Sequence, residues 1–393
     1  MKKIIILVLI IFLMYPSFCF AKDISTKGIS IKYISQEEII DSQKSSVNIS
    51  KFIEEAKKYT SDVFENTDYN ELLSSAITGN INNEQLGKSI LNIIGKETLG
   101  SIKTIASIMI VIIIHSILKS ISEGLENKSV GKICYYVQYI LIATLIMSNF
   151  AQVIDMVKNS VSDLVSFSNT LIPILITLIL TTGNIASANL LQPVLLFMIT
   201  FIGNLISNII IPITLASTAL AIVSKVSDHI QLDKLSKILK SGVTWTLGVV
   251  LTLFVTLLSV EGSLSSSVDG VTAKTAKAAV SSFVPVVGKI LGDSVDSVIG
   301  CTSILKNAVG VVGVIVIIGI CITPIIKLVL LMATYYIGSA ICEPIADEKI
   351  VKLLSQIGDT FKILLAILCS LSVLLIVGTT LVMKISNSSI MYR

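Results

Sequence analysis

Between Ala188 and Ser224 the chain runs 37 residues without a charged side chain. As one helix that run would be about 56 Å long, nearly twice the roughly 30 Å hydrocarbon core of a bilayer. A soluble core has no use for so long an apolar stretch, and a single straight crossing cannot contain it. The backbone is expected to give way inside the run at Pro212. A proline removes one backbone donor and crowds the preceding turn.

The rest of the chain has the same character. Its 393 residues are 53% hydrophobic and only 14% charged, against about 25% charged in soluble domains, so most of it belongs in a bilayer. The net charge of +4 is small and scattered, which argues against nucleic acid as a partner. Two histidines, His115 and His229, leave little material for a histidine-based metal or catalytic site. Of six cysteines, Cys19 lies in the amino-terminal leader. Cys134, Cys301, Cys321, Cys342 and Cys369 are dispersed along apolar segments with no CxxC pair, as packing residues would be. No P-loop, HExxH, GxSxG or paired-carboxylate pattern occurs. The sequence therefore predicts neither an enzyme nor a resident cofactor or metal.

Residues 1–21 have signal-peptide anatomy: Lys2 and Lys3, an apolar core from Ile4 to Leu13, and a Cys19-Phe20-Ala21 end. Cleavage after Ala21 and retention as a first anchor both export the residues immediately beyond it. Residues 22–99 are polar, with a stripe of Phe52, Ile53, Ala56, Tyr59, Val63 and Phe64 at helical spacing. A second helix is expected from Leu72 and Leu73 to a stop at Gly79, and a third capped by Asn82 and Gln85. Such narrow stripes make a thin core. This small exported domain is expected to bury them against the membrane part or a partner; a partly disordered spacer is the other reading of residues 22–50.

Residues 100–158 read as two transmembrane helices, Thr104–Leu118 and Ile133–Ile154, followed by Leu164–Thr182 and the Ala188–Ser224 run. Lys225–Lys240 reads as a helix lying in the membrane interface, and Ser241–Val260 and Ile363–Met383 as further spans. The expected fold is all-α and polytopic, with about seven to eight membrane segments.

Residues 161–262 and 273–383 look like two copies of one unit. Pro173 and Pro285 are 112 residues apart, and so are Pro212 and Pro324. A third match, DKLSKIL from Asp233 and EKIVKLL from Glu348, comes at an offset of 115. Two related proline-broken helical units are the expected architecture. Three crossings per unit would invert the copies, as in many transporters; an even number would leave them parallel. The sequence allows both.

This pattern singles out candidate sites. Pro173, Pro212, Pro285 and Pro324 are candidate kinks or hinges. Lys327, three residues after Pro324 in an apolar run, is a candidate for a polar path, and equally for a lysine snorkelling to an interface. Gly288 and Gly292 form a GxxxG face suited to close helix packing.

TAKTAKAAVSSFVPVVGKILGDSVD, SILKNAVG, TPIIKL and EPIAD, together with an ELLSSAITG element upstream, resemble the stage III sporulation protein AE family. The resemblance is sharpest over Val271–Lys349. It implies a multi-pass protein of the mother-cell membrane around the forespore, with an extracytoplasmic amino-terminal domain. It implies partners too: the other proteins of a sporulation channel or secretion complex, including one in the forespore membrane. The lipid bilayer is a further partner and homo-oligomerisation is allowed. The expected role is a permease-like component of that complex; a non-conducting structural hub and a general solute permease are the alternatives.

Overall fold

The computed structural model describes residues 49–60, 63, 68–79, 128–226, 232–283 and 287–391, with isolated helical positions between 87 and 117. At 128–132, 134, 135 and 138, and within 261–283, 287–297 and 385–391, it describes the backbone course alone. The expectations for the leader, residues 22–48, Phe64, Asn82, Gln85, His115, His229 and Pro285 lie outside the described residues. All of the described helices belong to one compact unit.

Two short helices come first, α1 (Ile49–Thr60) and α2 (Tyr69–Thr78). Asp68 caps α2 by accepting from Asn70 N–H at 2.9 Å. Gly79, at φ 78°, takes the left-handed position at its end and donates its N–H to Ser75 O. The Thr60 and Tyr69 hydroxyls are hydrogen-bonded, tying α2 to α1. Burial pushes the Tyr69 phenol up from its ordinary value, and the Thr60 bond opposes that in part. Phe52 and Ala56 are buried and Tyr59 is half-buried, as the stripe requires. Their cover is α3 (Lys128–Thr181): Phe167 lies 6.0 Å from the Phe52 ring centroid and 6.4 Å from that of Tyr59.

Helix α3 runs unbroken through what the sequence reads as two spans. Asp155 and Lys158 between them are exposed, whereas Val153, Val157, Val161 and Leu164 are buried at steps of three and four. The charges occupy the outer face, so the helix has no reason to stop. It ends in a tight turn at Thr182-Gly183-Asn184, with Gly183 at φ 83°. Buried Asn184 Nδ2 donates to Thr182 Oγ1 at 2.8 Å, which in turn donates to Ile179 O at 2.7 Å.

The apolar run widens at one turn without breaking. Helix α4 (Ile185–Leu205) passes through a π-helical turn, Ile206–Ile210, into α5 (Ile211–Val226). In the wider turn Ile211 N–H reaches back to Ile206 O, five residues away. Pro212 stands one residue beyond. The ring that would strike the preceding carbonyl and the donor it lacks are both absorbed by that extra residue. Pro212 is a relaxed register shift in a continuous helix, not the division between two spans.

Helix α6 (Asp233–Phe283) begins inside the stretch expected to lie flat in the interface. Lys234, Lys237 and Lys240 are instead the opening turns of a long helix, because Ser236 and Leu239 point inward beside Val243 and Leu247. Helices α7 (Val287–Cys342) and α8 (Glu348–Met391) form the most extensive pair. Lys306 meets Met383 near one end and Ser339 meets Val351 near the other, so they are antiparallel.

Direction relates the remaining helices. Val165 of α3 faces Gly203 of α4, and Tyr139 OH donates to Ile222 O of α5 at 2.6 Å, making that helix antiparallel to α3. Leu171 of α3 faces Gly313 of α7, while Phe150 of α3 meets Phe361 of α8 and Phe361 meets Tyr335 of α7. Helix α7 is thus also antiparallel to α3, and it points the same way as α4 and α5. Helix α6 contacts α8 at Lys240–Gln356 and at Phe254–Gly378, so these two are parallel.

Among the described residues five helical stretches are long and apolar enough to cross a membrane: Tyr139–Thr181, Ile185–Lys225, Asp233–Val260, Val298–Cys342 and Glu348–Lys384.

A candidate functional site where α5, α6 and α8 meet

One group of polar side chains gathers near the α5–α6 connection. Lys225 ends α5 and Asp233 opens α6, and the two form an ion pair. Gln356 of α8 donates from Nε2 to the other carboxylate oxygen of Asp233 at 3.3 Å. Lys240, two turns into α6, donates to Gln356 O at 3.1 Å. Asp233 thereby joins three helices, and both of its oxygens are engaged.

Hydroxyls extend the cluster into the core. Ser236 Oγ donates to Ser217 O at 2.7 Å, across α6 and α5. The Thr218 and Thr360 hydroxyls meet at 3.0 Å between α5 and α8, and both residues are fully buried. Thr360 also donates back to Gln356 O at 3.0 Å. On the α7 side Tyr336 OH donates to Asp359 Oδ1 at 2.7 Å, and Ser339 Oγ to Val351 O at 3.0 Å. Buried polar groups bonded across helices in this way fix helix register more than they add stability, although Gln356 Oε1 has no partner among the described residues.

The expected site residues are distributed over three helices. Pro173 is half-buried inside α3, Pro212 exposed at the start of α5 and Pro324 buried inside α7. Lys327 is half-buried one turn beyond Pro324. Gly288 and Gly292 fall in the first two turns of α7. Among the described residues no hydrogen bond or ring contact joins the prolines to Lys327. The chain remains helical through Pro173 and Pro324.

Sequence reasoning missed Lys306. It is fully buried, and its Nζ donates to Met383 O at 2.6 Å. The signal that singled out Lys327, a lysine among apolar neighbours, was equally present in SILKNAVG. Gln356, Thr218 and Thr360 had no such signal, being ordinary polar residues until their partners 123 and 142 positions away are known. Cys301, Cys321 and Cys342 are buried and free, as packing residues would be. Among the described residues no group of histidine, cysteine and carboxylate side chains could hold a metal ion.

These features define a class: an all-α, multi-pass membrane protein whose polar groups are turned onto one another inside the bundle. The family model for stage III sporulation protein AE matches residues 67–386, and the chain belongs to that family. It is similar to stage III sporulation protein AE of Bacillus subtilis (strain 168), with 27% identity over 306 residues, covering 78% of this chain and 77% of the relative. No solved structure matches.

Proposed function

We propose that the protein is the membrane-embedded, permease-like component of the complex joining mother cell and forespore, with the path running between two related helix units. The observation that carries this reading is the cluster at Asp233, where one carboxylate couples α5 and α6 of the first unit to α8 of the second. A shift of packed helices between two discrete arrangements would open such a path.

Residues 161–262 and 273–383 are the two units of this proposal. Pro212 and Pro324 lie in helices pointing the same way, and Asp233 and Glu348 are each the first residue of the next helix along the chain. Copies so arranged are related by rotation about an axis along the helices, the parallel kind of transporter repeat. Lys327 and the prolines supply the polar or yielding positions, and Gly288 and Gly292 a close helix contact.

The rival reading is a structural hub that conducts nothing. The close packing favours it: a methyl group at Gly313 would lie 2.6 Å from Leu171 Cδ2, and one at Gly310 would overlap Met383. In this reading the partners engage residues 22–99. Sporulating cells separate the two. The permease-like role predicts that Lys327→Leu lowers spore yield and that the purified protein passes small solutes in vesicles. A hub predicts full yield for Lys327→Leu, loss of yield from changes in residues 22–99, and no flux. Expression outside sporulation would instead indicate a general solute permease.

A further inference from the structure

The helices are too long for the membrane they occupy. Tyr139–Thr181 and Val298–Cys342 span 43 and 45 residues, about 65 Å each against a hydrocarbon core of about 30 Å. Lipid can surround only part of such a bundle, and the charges of α6, α7 and α8 mark which part.

Three helices carry charges at matching intervals. In α6 the stretch 241–260, between Lys240 and Glu261, has no charge. In α7 the charge-free stretch is 307–326, between Lys306 and Lys327, and in α8 it is 363–383, between Lys362 and Lys384. Each is about 30 Å long as helix. Helix α3 has two charge-free stretches, 133–154 and 164–181, on either side of Asp155, Lys158 and Asp163, and the run from α4 through α5 is charge-free to Ser224, so the limits are set by α6, α7 and α8.

The boundaries are also in register. The Lys306–Met383 hydrogen bond sets the upper limits of α7 and α8 at one height, with exposed Lys384 the next residue along. At the lower limit, Lys240 reaches Gln356, less than two turns before Lys362. Leu171 stands against Gly313, so thirteen residues further along each antiparallel helix Lys158 comes level with the neighbour of Lys327. Trp245, the sole tryptophan, is 72% exposed just inside Lys240, the depth at which tryptophan collects at a membrane interface.

We infer that the bilayer surrounds only the half of the bundle between these two charge boundaries, and that the other half, containing the Asp233 cluster, stands clear of the acyl chains. The projecting half exposes Asp155, Lys158, Lys237, Lys352 and Asp359 on its outer surface. Apolar residues such as Ile337 and Ile341 on that half face water or protein, not lipid.

Single-tryptophan reporters test this placement in vesicles of phosphatidylcholine with brominated acyl chains, which quench tryptophan by contact. In a Trp245→Phe background, Ile318→Trp and Phe197→Trp place a reporter on exposed positions of the charge-free half; Ile337→Trp and Ile341→Trp do so on the other. The first pair is expected to lose roughly half its emission relative to unbrominated vesicles, and the second pair to change by less than about a tenth. Two reporters per half keep the comparison readable if one variant misfolds. Quenching of Ile337→Trp or Ile341→Trp equal to that of the first pair would overturn the placement. So would a first pair that is not quenched.

Discussion

Lys306 Nζ lies 2.6 Å from the main-chain oxygen of Met383, in the contact between α7 and α8. A lysine ammonium has three donors, and a fully buried one is rare unless something requires it. Here its stem fills the helix contact and its head reaches a carbonyl at the boundary of the charge-free half. Shape and charge can therefore be separated by mutation.

Lys306→Met keeps the stem and removes the charge, and it should leave stability within about 1 kcal/mol of wild type or raise it, because apolar replacements of buried charges are often neutral or better. Lys306→Ala leaves a void and should cost about 2–4 kcal/mol. Thermal unfolding in one detergent, compared across the three proteins, reads both.

The Lys225–Asp233 pair is partly open to solvent, with side chains 11% and 35% exposed. Its coupling should therefore be about 1 kcal/mol, near the value for surface pairs. A double-mutant cycle of Lys225→Met and Asp233→Asn measures it. Gln356→Leu should lower that coupling, since Gln356 holds the other oxygen of Asp233.

Gly203 sits where any Cβ would overlap the Val165 side chain. Gly203→Ala should destabilise the α3–α4 contact by about 1–3 kcal/mol, and Val165→Ala should recover most of the loss. Additive losses in the double variant would contradict the close approach.

Phe167 anchors α1 through two aromatic contacts. Phe167→Ala should cost about 3–5 kcal/mol locally and release α1, so that limited proteolysis cuts near Lys57 and Lys58 well before the bundle is attacked. Unchanged protection would mean that α7, which α1 also touches, holds it alone.

Much of this organisation is legible in the sequence because lipid imposes simple rules. Uncharged runs give the helices, the spacing of Phe52, Ala56 and Tyr59 gives a stripe, and Gly79 gives a stop. What is not legible depends on which face of a helix a residue occupies. Asp155 and Lys158 read as the gap between two spans until α3 is seen to turn them outward. Pro212 reads as a break because nothing local announces a π turn. The Asp233 cluster is hidden more deeply, since Gln356 and Thr360 acquire meaning only when α8 packs beside α5 and α6. Lys306 was within reach of the rule applied to Lys327.

The most direct test of the account is a cross-link between the two units. Thr218 and Thr360 hydroxyls are 3.0 Å apart, which makes these positions the pair to replace with cysteines for a disulfide between the units. With Thr218→Cys and Thr360→Cys in a chain reconstituted into vesicles, the account predicts that oxidation stops solute release and that reduction restores it. Release at the wild-type rate while the cross-link is complete would contradict a path that opens between the units.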